Sequence, residues 1–335
     1  MLKAGGVLAV AAAFALRSRA VAESGDPAGT MQRSSASGPA SRQTQPMQIG
    51  ILLNTFTRPT LEARLDAAKA GGIDCVQMST DCAGLAAMPD QIAPELVVRM
   101  REAAAARGIT LASMQGTFNM THPDAAQRQA GLRQLRVLAE ACGPLGINKM
   151  HICTGTRDRQ SMWRRHPDNT TPEAWRDMVA CVRQAVEIAK RTNVVMAFEP
   201  EVSNVVDSAQ KARRLLDEVA SEQLKVTIDP ANIFHTGELP RMREMLDEAF
   251  QLLGKDIVLA HAKDLDHDGD AGHLAAGKGR LDYDRYLSLL HTSGYRGPLL
   301  LHGLTEAQVP GCVAFLREKV AQVASVPSKP NAGLT

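Results

Sequence analysis

Four side chains of this 335-residue chain are spaced to share one reaction centre: Glu199, Asp229, His261 and His302. Each closes a short apolar run, read VVMAFEP from 194, KVTIDP from 225, IVLAHAKD from 257 and PLLLHG from 298. The intervals between them are 30, 32 and 41 residues, filled mostly by helix-like sequence. Two carboxylates and two imidazoles form a mixed oxygen and nitrogen donor set, which suits Mn²⁺, Fe²⁺, Co²⁺ or Zn²⁺ better than Ca²⁺ or Mg²⁺. Mn²⁺ is the favoured ion; Zn²⁺, Co²⁺, Fe²⁺ and Mg²⁺ are the alternatives. Singly, each residue has a plainer reading. An Asp before Pro caps a turn, and a strand-end His is a hydrogen-bonded filler. Glu199 is harder to dismiss, because a carboxylate closing a buried parallel strand is costly unless paired or metal-bound.

Such a centre chelates a carbonyl and the adjacent hydroxyl, and it stabilises the enediolate left when a neighbouring carbon loses its proton. A carboxylate or imidazole in hydrogen-bond reach moves that proton. Epimerisation, aldose–ketose isomerisation, dehydration and β-elimination share this first half.

The elements that must position these residues alternate regularly. Strands are predicted at Gln48–Asn54, Cys75–Met78, Ile109–Met114, Lys149–Cys153, from Val194, from Lys225, at Ile257–Ala262 and at Pro298–His302. Helices are predicted from Pro59-Thr60 to Ala70, at Pro94–Arg107, at Asp124–Ala141 with Gly143 and Gly146 as breakers, and from Thr171-Pro172 to about Arg191. Four more are predicted at Ser208–Ala220, Leu239–Leu253, Tyr283–Thr292 and Val309–Val323. A Gly-rich loop spans Asp266–Arg280. The strand-to-strand interval averages about 36 residues, as in a (β/α)8 TIM barrel, whose active site lies at the C-terminal strand ends. No Gly-x-Gly-x-x-Gly follows the first strand, which argues against a dinucleotide-binding sheet; an open doubly wound sheet is the second choice.

The expected domain is one barrel over 47–325 with a flexible tail at 326–335. Residues 1–46 read as a signal-like or disordered extension, with an apolar run at Ala4–Leu16 and a small-x-small site at Ala20-Val21-Ala22. Arg17 and Arg19 interrupt that pattern, so a cytoplasmic protein with a true start at Met31 or Met47 is favoured over an exported, periplasmic one. The net charge of +2, from 38 basic and 36 acidic residues, gives no electrostatic case for nucleic acid or an anionic membrane. No stretch reaches the roughly 18 apolar residues of a spanning helix. The six cysteines lack Cys-x-x-Cys spacing and read as buried thiols.

The runs Phe198-Glu199-Pro200-Glu201, Ile228-Asp229-Pro230-Ala231-Asn232, His261-Ala262-Lys263-Asp264 and Gly277-Lys278-Gly279 resemble the sugar phosphate isomerase/epimerase superfamily of xylose isomerase-like barrels, over about 48–320. The resemblance implies a small carbohydrate substrate and a homo-oligomer. It also implies a divalent metal held by the strand-five Glu, strand-six Asp, strand-seven His and a strand-eight Glu. The first three map onto Glu199, Asp229 and His261; His302 stands where the fourth is expected. In the family's ketose epimerases the strand-five and strand-eight carboxylates are also the two bases, so His302 departs from symmetrical epimerisation. It retains the capacity to bind metal and act as a base beside Glu199. Glu306 is a nearby carboxylate that either substitutes or lies on the surface.

Further candidates to meet the substrate are His151, Gln115, Asn232, His235, Lys263 and Lys278. Asn232 and His235 equally suit helix capping. Lys263 is expected to turn away from His261 while the strand alternates, or else to pair with Asp264. Gly277-Lys278-Gly279 suggests a phosphate cradle or a plain turn. Arg157 and Trp163 are lid candidates or ordinary loop residues. The favoured function is a divalent-metal-dependent sugar isomerase or epimerase. The alternatives are a lyase or dehydratase on a keto-sugar or inosose, or a non-catalytic sugar-binding barrel; a multi-metal phosphodiesterase lacks the needed ligands and basic face.

Overall fold

The computed structural model describes residues 47–324. Eight parallel strands form the barrel: β1 (Ile49–Leu52), β2 (Cys75–Met78), β3 (Thr110–Gln115), β4 (Lys149–Cys153), β5 (Val195–Glu199), β6 (Leu224–Ile228), β7 (Ile257–Asp264) and, after a two-residue β8 (Leu274–Ala275), β9 (Leu299–Leu301). Neighbours pair in sequence order, β9 lies between β7 and β1, and the β6–β7 pairing leaves no open edge. Helices α1 (Leu61–Ala70), α2 (Pro94–Ala105), α3 (Ala125–Leu145), α4 (Pro172–Thr192), α5 (Ala209–Val219), α6 (Met242–Leu253), α7 (Tyr283–Thr292) and α8 (Val309–Ala324) follow the strands in turn. Among the described residues, no helix is long and apolar enough to cross a membrane. All six cysteines are buried and unpaired. The expectations for residues 1–46 and for the tail at 326–335 fall outside the described residues.

Local signals set the helix starts. Thr60, Asp124, Thr171 and Ser208 each accept a backbone N–H of the first helical turn, and Pro172 sits at a first helical position where its missing N–H is not needed. Several boundaries differ from expectation by a few residues, and two of the differences have a clear cause. α3 runs through Gly143 and Pro144 to Leu145, because the left-handed stop is supplied by Gly146 (φ 75°), whose N–H returns to Cys142 and Gly143. β7 runs past Ala262 to Asp264, because β8 folds back antiparallel against its end and pairs with Lys263 and Asp264.

Alternation along the strands separates two layers. Outward residues such as Met196, Phe198, Ala260 and Ala262 pack under the helices in the main core. Inward residues Leu52, Cys75, Ala197, Leu259 and Leu300 plug the barrel interior. Gly50 faces this plug, and a Cβ there would lie 2.5 Å from Leu300 Cδ2 and 2.6 Å from Cys75 Sγ, so only glycine fits. One step further along the same strands the inward residues become polar: Gln77, Ser113, His151, Glu199, Thr227 and His261, all buried. That polar layer lies at the C-terminal strand ends, the catalytic face of this architecture.

Candidate active site

Glu199 ends β5, Asp229 follows β6, His261 lies within β7 and His302 follows β9, with its N–H still bonded to Ala262 O. Inward alternation gathers them around His261: the donor atoms of Asp229, His261 and His302 lie within 4.8 Å of one another, and Glu199 joins His261 and His151 in a second such group. His261 Nδ1 is 3.5 Å from Glu199 Oε2 and 3.7 Å from Asp229 Oδ2, and His302 Nδ1 is 3.6 Å from that same Oδ2. His151, from β4, joins them with Nε2 3.3 Å from Glu199 Oε2. The His151 and His302 rings flank His261 at centroid distances of 5.0 and 5.2 Å.

Hydrogen bonds aim these groups. Asn232 Nδ2 donates to Glu199 Oε1 at 2.5 Å, which turns Oε2 toward the imidazoles. Asp229 Oδ1 accepts from Ala231 N, which leaves Oδ2 facing inward. Thr227 Oγ1 donates to Ala197 O at 3.2 Å and lies 3.1 Å from His151 Nδ1. The hydroxyl has one proton, so His151 donates from Nδ1 and its Nε2 is an acceptor facing the Glu199 carboxylate. Two acceptors in that position call for a cation or a hydroxyl proton between them.

The site passes a further test for a metal. Asp229 Oδ2, His261 Nδ1 and His302 Nδ1 are buried without a hydrogen-bond partner among the described residues. Ligands bound to one ion at about 2.1 Å lie about 3.0 Å apart in an octahedron and about 3.4 Å apart in a tetrahedron. The observed separations of 3.5–3.7 Å are slightly wider than those edges and too long for good hydrogen bonds. The donor set therefore fits a divalent ion.

Electrostatics within the cluster are self-balancing. Burial alone would raise the Glu199 carboxyl, but His261 and His151 hold it below the usual carboxylate range. Burial opposes charge on His261, yet Glu199 and Asp229 raise it to about 9. Burial pushes His151 down to about 3, with His261 and His302 opposing a further charge. His302 is also lowered, by burial and by the Lys263 ammonium. Its side chain is 34% exposed and forms the open side of the cluster.

The other anticipated residues divide. Asn232 does not cap a helix; its side chain holds Glu199. Lys263 points inward, because residues two apart on a strand share a face, and its Nζ lies 3.3 Å from Asp229 Oδ2. It does not pair with Asp264, whose carboxylate accepts from the backbone N–H groups of Leu265, Gly277 and Leu281. Gly303 (φ 67°) makes the Lys263 path possible, since a Cβ there would meet Lys263 Cδ at 2.8 Å. Gln115 bonds locally to Thr117 through its side chain and lies opposite His151 in the β3–β4 pairing. His235 is engaged by Asp207 O and Arg165. Lys278 is exposed, and no phosphate cradle forms around it: the Gly277 N–H is taken by Asp264 and the Lys278 N–H by Ala275 O. Glu306 lies on the surface in a bidentate pair with Arg58. Arg157 is buried against Asp177 at 2.8 Å, whereas Trp163 is 54% exposed.

Two groups were missed. Gln77 Oε1 lies 3.4 Å from His261 Nε2 and accepts from Ser113 Oγ, an arrangement signalled only by a polar residue inside the apolar run CVQM. Glu201 is buried beside Glu199, and burial together with the Glu199 charge raises its carboxyl to about 7, against the Ser203 N–H. It stood inside the Phe-Glu-Pro-Glu run without an assigned role.

Known proteins share this architecture. Residues 65–318 match the family model described as the xylose isomerase-like TIM barrel. L-ribulose-5-phosphate 3-epimerase UlaE of Escherichia coli is 24% identical over 247 residues, covering 72% of this chain and 82% of that protein. Among solved structures, a xylose isomerase domain protein from Planctomyces limnophilus superposes with a TM-score of 0.66 at 17% identity, covering 84% of this chain and 100% of the other. The 3-keto-D-glucoside 4-epimerase YcjR of Escherichia coli gives 0.63 at 18%, covering 81% and 99%. The family match spans three quarters of the sequence, including all four strand-end residues, and the chain belongs to the xylose isomerase-like TIM barrel family.

Proposed function

We propose that the protein is a divalent-metal-dependent isomerase or epimerase that removes a proton next to the carbonyl of a small sugar or sugar derivative. The observation that carries this reading is the convergence of Asp229 Oδ2, His261 Nδ1 and His302 Nδ1, buried and without a hydrogen bond among the described residues, beside Glu199 Oε2. The sugar epimerases among its relatives and structural neighbours support it.

Glu199, Asp229, His261 and His302 would hold the ion. When bound, that ion supplies Lewis-acid stabilisation of the charge that develops on the substrate oxygens. Mn²⁺ fits the mixed donor set, with Zn²⁺, Co²⁺, Fe²⁺ and Mg²⁺ as alternatives. Glu199 is the proton-transferring carboxylate, oriented by Asn232. His151 accepts a substrate hydroxyl at Nε2, its tautomer set by Thr227. Lys263, fixed against Asp229, is within the cluster and presents an ammonium toward the reacting oxygens. His302 serves the opposite, open side.

Two features favour a lyase or dehydratase as the second reading. His302 replaces a strand-eight carboxylate, and Glu306 is committed to Arg58. The centre therefore has one carboxylate base, enough for an elimination that begins with the same proton abstraction. Proton–deuterium exchange in D₂O, run against ketoses, keto-glycosides and inososes with and without Mn²⁺, tests the reading. Exchange beside a carbonyl that disappears on chelation and in Glu199→Gln is expected. Metal retention with unchanged turnover in Glu199→Gln would defeat the assignment.

A further inference from the structure

A second cluster of metal-type side chains lies outside the barrel mouth, on the loop that joins β7 to β8. Asp266, His267 and His273 are each about half exposed. Both imidazoles converge on one carboxylate oxygen: His267 Nδ1 is 2.5 Å and His273 Nε2 3.4 Å from Asp266 Oδ1, with ring centroids 4.9 Å apart. All three donor atoms lie within 4.8 Å of one another.

The loop that carries them is fixed on both sides. Asp268 accepts the Leu239 N–H, and Gly269 N bonds to Phe234 O. Gly272 N bonds to Ala231 O and to Asn232 Oδ1, and Arg280 N to Leu265 O. The Asp266 carboxylate faces the two histidines, and Arg280 reaches its backbone oxygen. The spacing Asp264-x-Asp266-x-Asp268-Gly269 resembles the start of a calcium loop, but the geometry rejects that occupant. The Asp264 and Asp268 carboxylates are consumed by backbone N–H groups.

We propose that Asp266, His267 and His273 form a second metal site, for a first-row transition dication such as Zn²⁺ or Co²⁺, separate from the central cluster. Two imidazoles and one carboxylate on a rigid loop match the preference of these ions, and the exposed side leaves room for water to complete the shell. The Asp266–His267 contact opens to about 3 Å when both atoms bind one ion at about 2.1 Å, which a side-chain rotation supplies. The site is linked to the reaction centre: Gly272, next to His273, holds Asn232, and Asn232 holds Glu199. An ion here would stiffen the loop that orients the proton-transferring carboxylate.

The test compares the full-length wild type with His267→Ala/His273→Ala. Both are dialysed to equilibrium against Co²⁺, bound metal is counted, and the visible absorption of the bound ion is recorded. These side chains are exposed, so the variant is expected to keep its far-ultraviolet circular dichroism and its thermal transition. The wild type should bind one equivalent more than the variant, whatever the central site holds. That equivalent should resist a large excess of Mg²⁺ and carry the absorption of imidazole-ligated Co²⁺. Equal stoichiometry in the two proteins, or displacement of the extra ion by Mg²⁺, would overturn the proposal.

Discussion

Replacing Asn232 with alanine probes the centre without touching any group expected to bind metal. The amide donates to Glu199 Oε1 at 2.5 Å, and Glu199 is only 6% exposed. A hydrogen bond to a buried charge contributes about 1.5–3 kcal/mol, and leaving the carboxylate oxygen without a donor adds to that. The second partner matters less. Gly272 N loses Asn232 Oδ1 but keeps Ala231 O, so no backbone donor is orphaned. The expected loss is about 2–4 kcal/mol, read as a shift of the denaturant midpoint measured in chelator so that metal linkage does not intrude. Glu199 also loses its orientation. Outer-shell partners of this kind change metal affinity by about 10–100-fold, so Mn²⁺ binding by equilibrium dialysis should weaken by that factor. Asn232→Asp should do worse than alanine, because it sets a second carboxylate against Glu199. A stability change within about 0.5 kcal/mol, together with Mn²⁺ affinity within about twofold of wild type, would refute the claim that Asn232 aims Glu199.

Three further outcomes follow from the same geometry. Glu306→Gln should leave deuterium exchange unchanged and cost at most about 1 kcal/mol, since its pair with Arg58 is partly exposed, whereas His302→Ala should lower exchange; the reverse pattern would make Glu306 the strand-eight base. Glu201 has a folded pKa near 7 against an ordinary 4.5, so its contribution is fully present below 4.5 and is lost as pH rises through 7. Glu201→Gln should therefore gain stability relative to wild type between pH 5 and 8, approaching roughly 3 kcal/mol at about 1.4 kcal/mol per unit, less the cost of re-pairing Asn204; a pH-independent difference would exclude the raised carboxyl. Gly303→Ala forces a side chain into left-handed backbone and against the Lys263 stem, with an expected loss of about 1–2 kcal/mol from the backbone alone and a further fall in exchange as Lys263 leaves Asp229; an unaffected exchange rate would separate Lys263 from the chemistry.

Much of this centre was legible because a parallel barrel converts sequence into position by a simple rule. The apolar run ending in Glu199, the Asp229-Pro230 turn and His261 each announce a strand end, and strand ends of one barrel share a rim. His302 and His151 obey the same rule. What escaped depends on contacts through space. Asn232 finds Glu199 33 residues away, and Gln77 finds His261 184 residues away; no periodicity encodes either. Lys263 was misplaced for a different reason. β8 keeps β7 extended past Ala262, and alternation over two residues returns Lys263 to the face of His261 rather than turning it away. Lys278 looked like a phosphate ligand only while the Asp264 carboxylate that occupies the Gly277 N–H was out of view. The helix boundary at Gly143 shows the limit of reading glycine as a stop: the residue that takes the left-handed conformation ends the helix, and that residue is Gly146.

The three backbone donors gathered by Asp264 come from both ends of the segment between β7 and α7. One carboxylate thus moors the stem of a long excursion directly beside His261 and Lys263. Between the moorings, β8 pairs with the end of β7 and the Gly272 N–H holds Asn232, so the excursion is itself tied to the strand ends beneath it. A change in the excursion therefore reaches Glu199 through Asn232, and Lys263 through β8.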